Sequence, residues 1–173
     1  MTRSLTDLFP QDRDLIYLNH AAVSPWPETA RIAVLNFAAE NVCKGSLQYP
    51  DWLNKEQSLK EQIAKLINAA HWQDIALQKN TSEALSVVAY GLSWNPGDNI
   101  VSIRQEFPSN RIVWQSLINT KGVECRLVDI HADPDTTEEQ LMSACDEQTR
   151  VMSISAVQFA SGLRHDLKKL GLF

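Results

Sequence analysis

From residue 75 onward, short apolar runs alternate with amphipathic ones, and only a few residues link each to the next. Ile75-Ala76-Leu77-Gln78, Asn99-Ile100-Val101-Ser102-Ile103, Glu124 to Ile130 and Arg150 to Val157 read as strands. Between them lie runs at helical spacing: Leu85, Val88, Ala89 and Leu92, then Val113, Trp114, Leu117 and Ile118, then a short stretch over residues 138–145. A final helix begins at Asp166. Asn95-Pro96-Gly97-Asp98 is a turn, and Gly122 ends the helix before it. Strand, helix, strand in that order makes neighbouring strands parallel, because the crossover helix carries the chain back to the edge it left. The predicted class is α/β, a mostly parallel sheet with flanking helices.

The preceding residues are organised differently. Asp14 to Asn19 is a short strand or extended segment, and His20 to Pro27 is a loop. Pro27 suits the first turn of a helix, which runs to about Lys44 with Ile32, Leu35, Ala39 and Val42 on one face. Gly45 stops it. After a loop to Pro50, a second helix spans about Trp52 to Ala70 and carries Leu59, Ile63, Leu66 and Ile67. The expected division is residues 1–70 and residues 71–173.

Composition excludes several classes. At 173 residues with 44% hydrophobic and 21% charged side chains, the chain has the balance of a soluble globular protein. A net charge of −5 argues against nucleic acid or an anionic membrane as partner. No apolar run approaches the roughly 20 residues that span a bilayer, and the first residues lack the apolar stretch of a signal peptide. Cys43, Cys125 and Cys145 are few, odd in number and far apart, so they read as buried thiols in a reducing, cytoplasmic setting. His71, His131 and His165 have no partners at ligand spacing, so no metal site is assigned.

In an open α/β sheet, ligands sit beyond the carboxyl ends of the strands. Three segments fall there: Asn80-Thr81-Ser82, Arg104 to Asn110, and Gln158-Phe159-Ala160-Ser161-Gly162. Asn80 is a candidate helix cap, with Glu83 placed to return the contact in a variant of the capping box. The unpaired amides of that helix start, with the Thr81 and Ser82 hydroxyls, suit a phosphate; an ordinary capped helix has the same pattern. Phe107 is either a core aromatic or an exposed flat face, and Gln158 is either a satisfied strand amide or a ligand contact.

These segments, taken with Tyr17-Leu18-Asn19-His20-Ala21-Ala22, resemble the class V aminotransferase and cysteine desulfurase family of pyridoxal-phosphate enzymes. The resemblance implies a fold-type I transferase-like architecture in which residues 1–70 carry helices and active-site loops. Residues 71–173 then begin the large cofactor-binding domain. It implies that Thr81 and Ser82 bind the cofactor phosphate, Phe107 stacks on the pyridine ring and Gln158 lies beside the phenolic oxygen. Phe107 stands where a histidine is common in the family; it supplies the π face but cannot share a proton. His20 is a candidate near an amino acid substrate. The resemblance also implies a homodimer, with the loop from Gly45 to Pro50 close to the partner's active site.

The Schiff-base lysine and the carboxylate for the pyridinium nitrogen, which the cofactor's electron-sink chemistry needs, fall in the family beyond the matching region. None of Lys60, Lys65, Lys79, Lys121, Lys168 or Lys169 sits at a strand end in a matching motif. The expectation is therefore the N-terminal portion of a pyridoxal-phosphate aminotransferase-like enzyme, inactive alone and short of later strands, so prone to associate. The alternative is a non-catalytic module of the family that binds a phosphate-bearing ligand or a partner chain. A flavodoxin-like domain is disfavoured, because its phosphate loop follows a first strand near the N-terminus.

Overall fold

The computed structural model describes residues 4–12, 14–20, 23–130 and 136–173, and the chain divides into two units, Met1–Leu77 and Gln78–Phe173. The first unit is helical. A single-turn helix α1 (Leu5–Leu8) is closed by a reciprocal cap between Ser4 and Asp7. Helix α2 (Glu28–Lys44) follows Pro27 and stops at Gly45, whose φ of +54° few other residues accept. Helix α3 (Tyr49–Ile67) ends on left-handed Asn68, and a 3-10 turn covers Trp72–Asp74.

Trp52 joins α2 to α3. Its indole N–H donates to Glu40 at 2.8 Å, and its ring meets Phe37 edge-on at 5.2 Å. The expected apolar stripes are only partly used. Ile32, Leu35, Val42, Leu59, Leu66 and Ile67 stay exposed; no residue of α2 is buried, and in α3 only Ala64 is. Of two segments read as strand-like, 14–19 (a short strand or extended segment) and 75–78, neither forms a strand among the described residues. Residues 14–19 are irregular, and residues 75–78, though extended at Ile75, join no sheet among the described residues. Backbone groups form a ladder only beside a second strand, and neither segment has one.

The second unit contains α4 (Thr81–Gly91), β1 (Asn99–Ile103), α5 (Pro108–Lys121), β2 (Glu124–Val128), α6 (Thr137–Ser143), β3 (Thr149–Ser153) and α7 (Leu167–Leu172). The sheet is parallel throughout, in the order β2-β1-β3. Central β1 is buried at all five positions, as a strand covered on both faces must be. Alternate side chains feed opposite cores. Ile100 packs with Ala89, Val113, Trp114, Leu117 and Val123. Val101 and Ile103 pack with Ile130 and Leu141, and partly buried Met152 and Leu170 complete that face.

This layout follows from handedness. The chain moves one way from β1 to β2 through α5, then the other way past β1 to reach β3 through α6. Right-handed crossovers in opposite directions place their helices on opposite faces, which is where Leu117 and Leu141 are found. A reversal of this kind opens a crevice at the carboxyl ends of the strands.

Side chains pin both edges of the sheet. At the amino edge the Asp146 carboxylate accepts from Asn99 Nδ2 and Arg126 Nη1, each at 2.7 Å, and from the Gln148 amide at 2.9 Å. Thr149 Oγ1 donates to Asn99 Oδ1 at 2.7 Å. One carboxylate thus ties β1, β2 and the entry to β3. Towards the other edge, Ser153 and the Trp114 indole both donate to Asn110 Oδ1, at 2.6 and 3.2 Å.

Strand ends differ from the sequence expectation for one reason. The strands expected to reach Ile130 and Val157 stop at Val128 and Ser153, because side chains take over the next amides. Gln105 Oε1 accepts from Ile130 N at 3.3 Å, and Glu106 Oε1 accepts from Ser155 N at 2.6 Å. Ser109 does not cap α5. Phe107 holds that place and Pro108 begins the helix, its fixed φ already helical. Nor are the cysteines uniformly buried: Cys43 is exposed, and Cys125 and Cys145 are half-buried. Burial, and then neighbouring Glu124, push the Cys125 thiol up.

Two outcomes test this account. Hydrogen bonding from Arg126 and then Asn99 lowers the Asp146 carboxyl from its ordinary 3.8 to about 2. A group depressed on folding stabilises above its unfolded pKa and loses that contribution as pH falls through the folded one. Asp146→Asn is therefore expected to lower the melting temperature at pH 6, with the gap to the unsubstituted protein closing between about pH 4 and pH 2. Leu117→Ala, at a fully buried position, is expected to cost about 2–5 kcal/mol in denaturant unfolding.

Candidate cofactor site

Three segments meet the carboxyl side of the sheet. The first is the start of α4. Asn80 Oδ1 accepts from the Glu83 amide at 2.9 Å, and Glu83 Oε2 accepts from the Lys79 amide at 3.0 Å. The cap is reciprocal, as the sequence predicts, but shifted: Glu83 reaches the residue before the cap. Thr81 and Ser82 open the helix, exposed.

The orientation of α4 places that start. The C-terminal end of α4 leads through Asn95–Asp98 to the amino end of β1. Tyr90, in its last turn, meets Ser116 of α5 at 2.8 Å. Further on, the Gly97 amide past the end of α4 donates to Gly122 O past the end of α5 at 3.3 Å, so the two helices run side by side in the same direction, and α5 begins at the carboxyl end of β1. Eleven residues of α4 span about 16 Å, which carries Thr81 and Ser82 to the same side as Phe107.

The second segment follows β1. Glu106 is buried at 3% exposure although it carries a carboxylate. Its oxygens accept from Ser155 N (2.6 Å), Ser155 Oγ (2.7 Å) and Gln158 Nε2 (2.8 Å). Beside it Phe107 is half exposed and meets Phe159 edge-to-face, ring centroids 5.2 Å apart at 88°. Gln105 and Arg104 reach across to Asp129 at the end of β2, at 2.5 and 3.7 Å.

The third segment follows β3. Residues 156–165 double back as a tight loop: Gln158 N donates to Leu163 O and His165 N to Ala156 O, with Gly162 at φ +72° in the turn. Gln158 is 2% exposed, and its Oε1 has no hydrogen-bond partner. His165 is buried beneath it. Its Nε2 lies 3.4 Å from Gln158 Nε2, and its Nδ1 lies 3.3 Å from Glu138 Oε1 on α6. Burial opposes ionisation of Glu138. The Asp166 amide at 2.9 Å, its own backbone and the His165 ring outweigh that and hold the carboxyl below its usual range.

Of the residues singled out in the sequence, Thr81, Ser82, Phe107 and Gln158 therefore belong to one unit. His20 belongs to the other, exposed, its ring edge-on to Tyr17 at 5.3 Å. Glu106, Ser155, His165 and Glu138 were not singled out for this site. Only the position of Glu106 beside Phe107 hinted at a role; contacts between residues 27 to 52 positions apart leave no local pattern. His131 lies outside the described residues. Among the described residues no three His, Cys, Asp or Glu side chains gather as metal ligands, and no helix is long and apolar enough to cross a membrane.

The family profile for aminotransferase class V matches residues 16–173. The chain belongs to the class V aminotransferase family. A probable cysteine desulfurase of Methanothermobacter thermautotrophicus is 32% identical over 166 residues, which cover 94% of this chain and 41% of that protein. An uncharacterized protein of Schizosaccharomyces pombe is 28% identical over 97% of this chain and 38% of its own length. Among solved structures, a C-DES mutant with glycine covalently linked to its PLP cofactor superposes with a TM-score of 0.87 at 19% identity, over 98% of this chain and 45% of that one. The cysteine desulfurase CsdA of Escherichia coli gives 0.75 at 22% identity, over 91% and 41%. These two fix the fold, that of fold-type I pyridoxal-phosphate enzymes. The chain spans about two fifths of the length of these curated relatives.

Glu106→Leu is expected to destabilise the second unit, by about 1–3 kcal/mol for each buried donor left unpaired at Ser155 and Gln158. Thermal unfolding checks it, and an unchanged melting temperature would remove Glu106 from this account.

Proposed function

We propose that this chain supplies the cofactor-binding start of a pyridoxal-phosphate enzyme that acts on an amino acid. Thr81 and Ser82 hold the phosphate, Phe107 lies against the pyridine ring and Gln158 faces the phenolic oxygen. The observation that carries this reading is the match of residues 16–173 to the class V aminotransferase family, with exposed Thr81 and Ser82 opening α4 and a half-exposed Phe107 following β1.

The donor set suits the same group. The first turn of α4 offers two hydroxyls and unpaired amides at the positive end of an eleven-residue helix, which favours a dianion. The half-exposed face of Phe107 offers stacking area, while its edge contact with Phe159 holds the ring in place. Bound there, pyridoxal phosphate would supply an electron sink for bond breaking at an amino acid's α-carbon. The residues of this chain bind and orient. The hydroxyls anchor one end, the Phe107 ring excludes water from one face, and Glu106 fixes the Gln158 amide at the other end. Because Phe107 has no ionisable group, a proton moved near that face must be carried by another residue.

The family resemblance supports residues 71–173 as the first part of a large domain, and a cytoplasmic homodimer in which His20 and the Gly45 to Pro50 loop approach the partner's site. The test is affinity for pyridoxal phosphate against pyridoxal, which lacks the phosphate. Ser82→Ala and Thr81→Ala are each expected to weaken pyridoxal phosphate about tenfold, the worth of a charge-assisted hydrogen bond, and to leave pyridoxal unchanged. Equal losses for both ligands would sink the phosphate assignment.

A further inference from the structure

Two consecutive residues after β1 grip two consecutive residues after β3. Glu106 accepts from the Gln158 side chain at 2.8 Å, and Phe107 meets Phe159 edge-to-face with ring centroids 5.2 Å apart. We propose that Phe159 is a positioning residue: it sets the plane of the Phe107 ring and acts on the ligand only through that ring. The proposal rests on the reading of Phe107 as the face that takes the pyridine ring.

A phenyl ring carries no donor or acceptor, so no hydrogen bond can set its plane. The backbone of Phe107 is fixed. It precedes Pro108, which confines it to extended geometry; it stands at φ −58° and ψ 142°, and its carbonyl accepts from the Asn110 amide at 2.8 Å. That settles where the side chain leaves the chain, not how the ring turns. Half of Phe107 is exposed, so the close packing that fixes rings in a core does not settle it either. Among the described residues, Phe159 is the only aromatic ring in contact with it. At 88° the pair has the geometry that the ring quadrupoles favour. Such a pair takes up at most one face of Phe107 and leaves the other for a flat ligand.

Phe159 can serve in this way because its own place is determined. The Gln158 side chain is turned inward to Glu106, its backbone N–H donates to Leu163 O at 2.9 Å, and its carbonyl accepts from Gly162 N at 2.9 Å. With the loop closed on both sides of Gln158, the next residue stands outward, and Phe159 is 54% exposed. The ring contact is blind to the phosphate. Loss of Phe159 therefore affects pyridoxal phosphate and pyridoxal alike, unlike loss of Thr81 or Ser82.

The experiment measures the Kd of pyridoxal phosphate and of pyridoxal, the circular dichroism of the bound ligand, and the melting temperature. Phe159→Leu, which keeps bulk but removes the ring, is expected to weaken both ligands about fivefold and to reduce the dichroism at an unchanged melting temperature. Phe159→Tyr, which keeps the ring, is expected to stay within about twofold. Equal losses in the two variants would mean bulk rather than an aromatic contact, and overturn the proposal. Phe107→Ala separates the two readings. If it leaves both affinities unchanged, Phe107 is not the stacking face, and the positioning role falls with it. If Phe107→Ala weakens binding and Phe159→Leu does not, only the positioning role is overturned. With Phe107→Ala already in place, Phe159→Leu is expected to add no further loss; a full further loss would mean that Phe159 touches the ligand itself, and overturns the role also. Should Phe159→Leu fail to fold, nuclear Overhauser contacts in the unsubstituted protein decide. Contacts between the two rings with pyridoxal phosphate bound are expected, and their absence refutes the proposal.

Discussion

A single buried carboxylate organises the carboxyl side of the sheet. Glu106 leaves β1 at a place where 3% of its surface is exposed, yet it accepts from three donors on the segment after β3. Burying a carboxylate is unfavourable unless donors replace its water, so its burial and the shape of residues 154–165 are one event. Taking the Ser155 amide ends the β3 ladder. Taking the Gln158 amide turns that side chain inward. The loop then folds back on itself and carries His165 beneath Gln158.

A second constraint lies at the amino edge, where Asp146 ties Asn99, Arg126 and the turn into β3. The two carboxylates divide the work. Asp146 is partly exposed and paired with a guanidinium, so it holds strand register. Glu106 is enclosed and surrounded by neutral donors, so it shapes a site. Between them β1 is fully buried, and the crossovers on its two faces leave the carboxyl edge open.

The helical unit contrasts with this. Its two long helices share one aromatic contact around Trp52, and much of each apolar stripe stays exposed. The curated relatives extend well beyond the region matched here.

Much was legible in the sequence because it is local. The turn at Asn95–Asp98, the stops at Gly45 and Gly122, the Asn80 cap and the apolar run of β1 act over a few residues, and each stands where the sequence placed it. The parallel sheet followed from the order of elements, through the handedness of crossovers. What the sequence by itself did not determine was whether an extended segment becomes a strand: residues 75–78 have the pattern, but a ladder needs a neighbour. Nor could it show that Glu106, Gln158, His165 and Glu138 form one chain of contacts. Hydrogen bonds between residues 27 to 52 positions apart exist only once the sheet has brought the ends of β1 and β3 side by side.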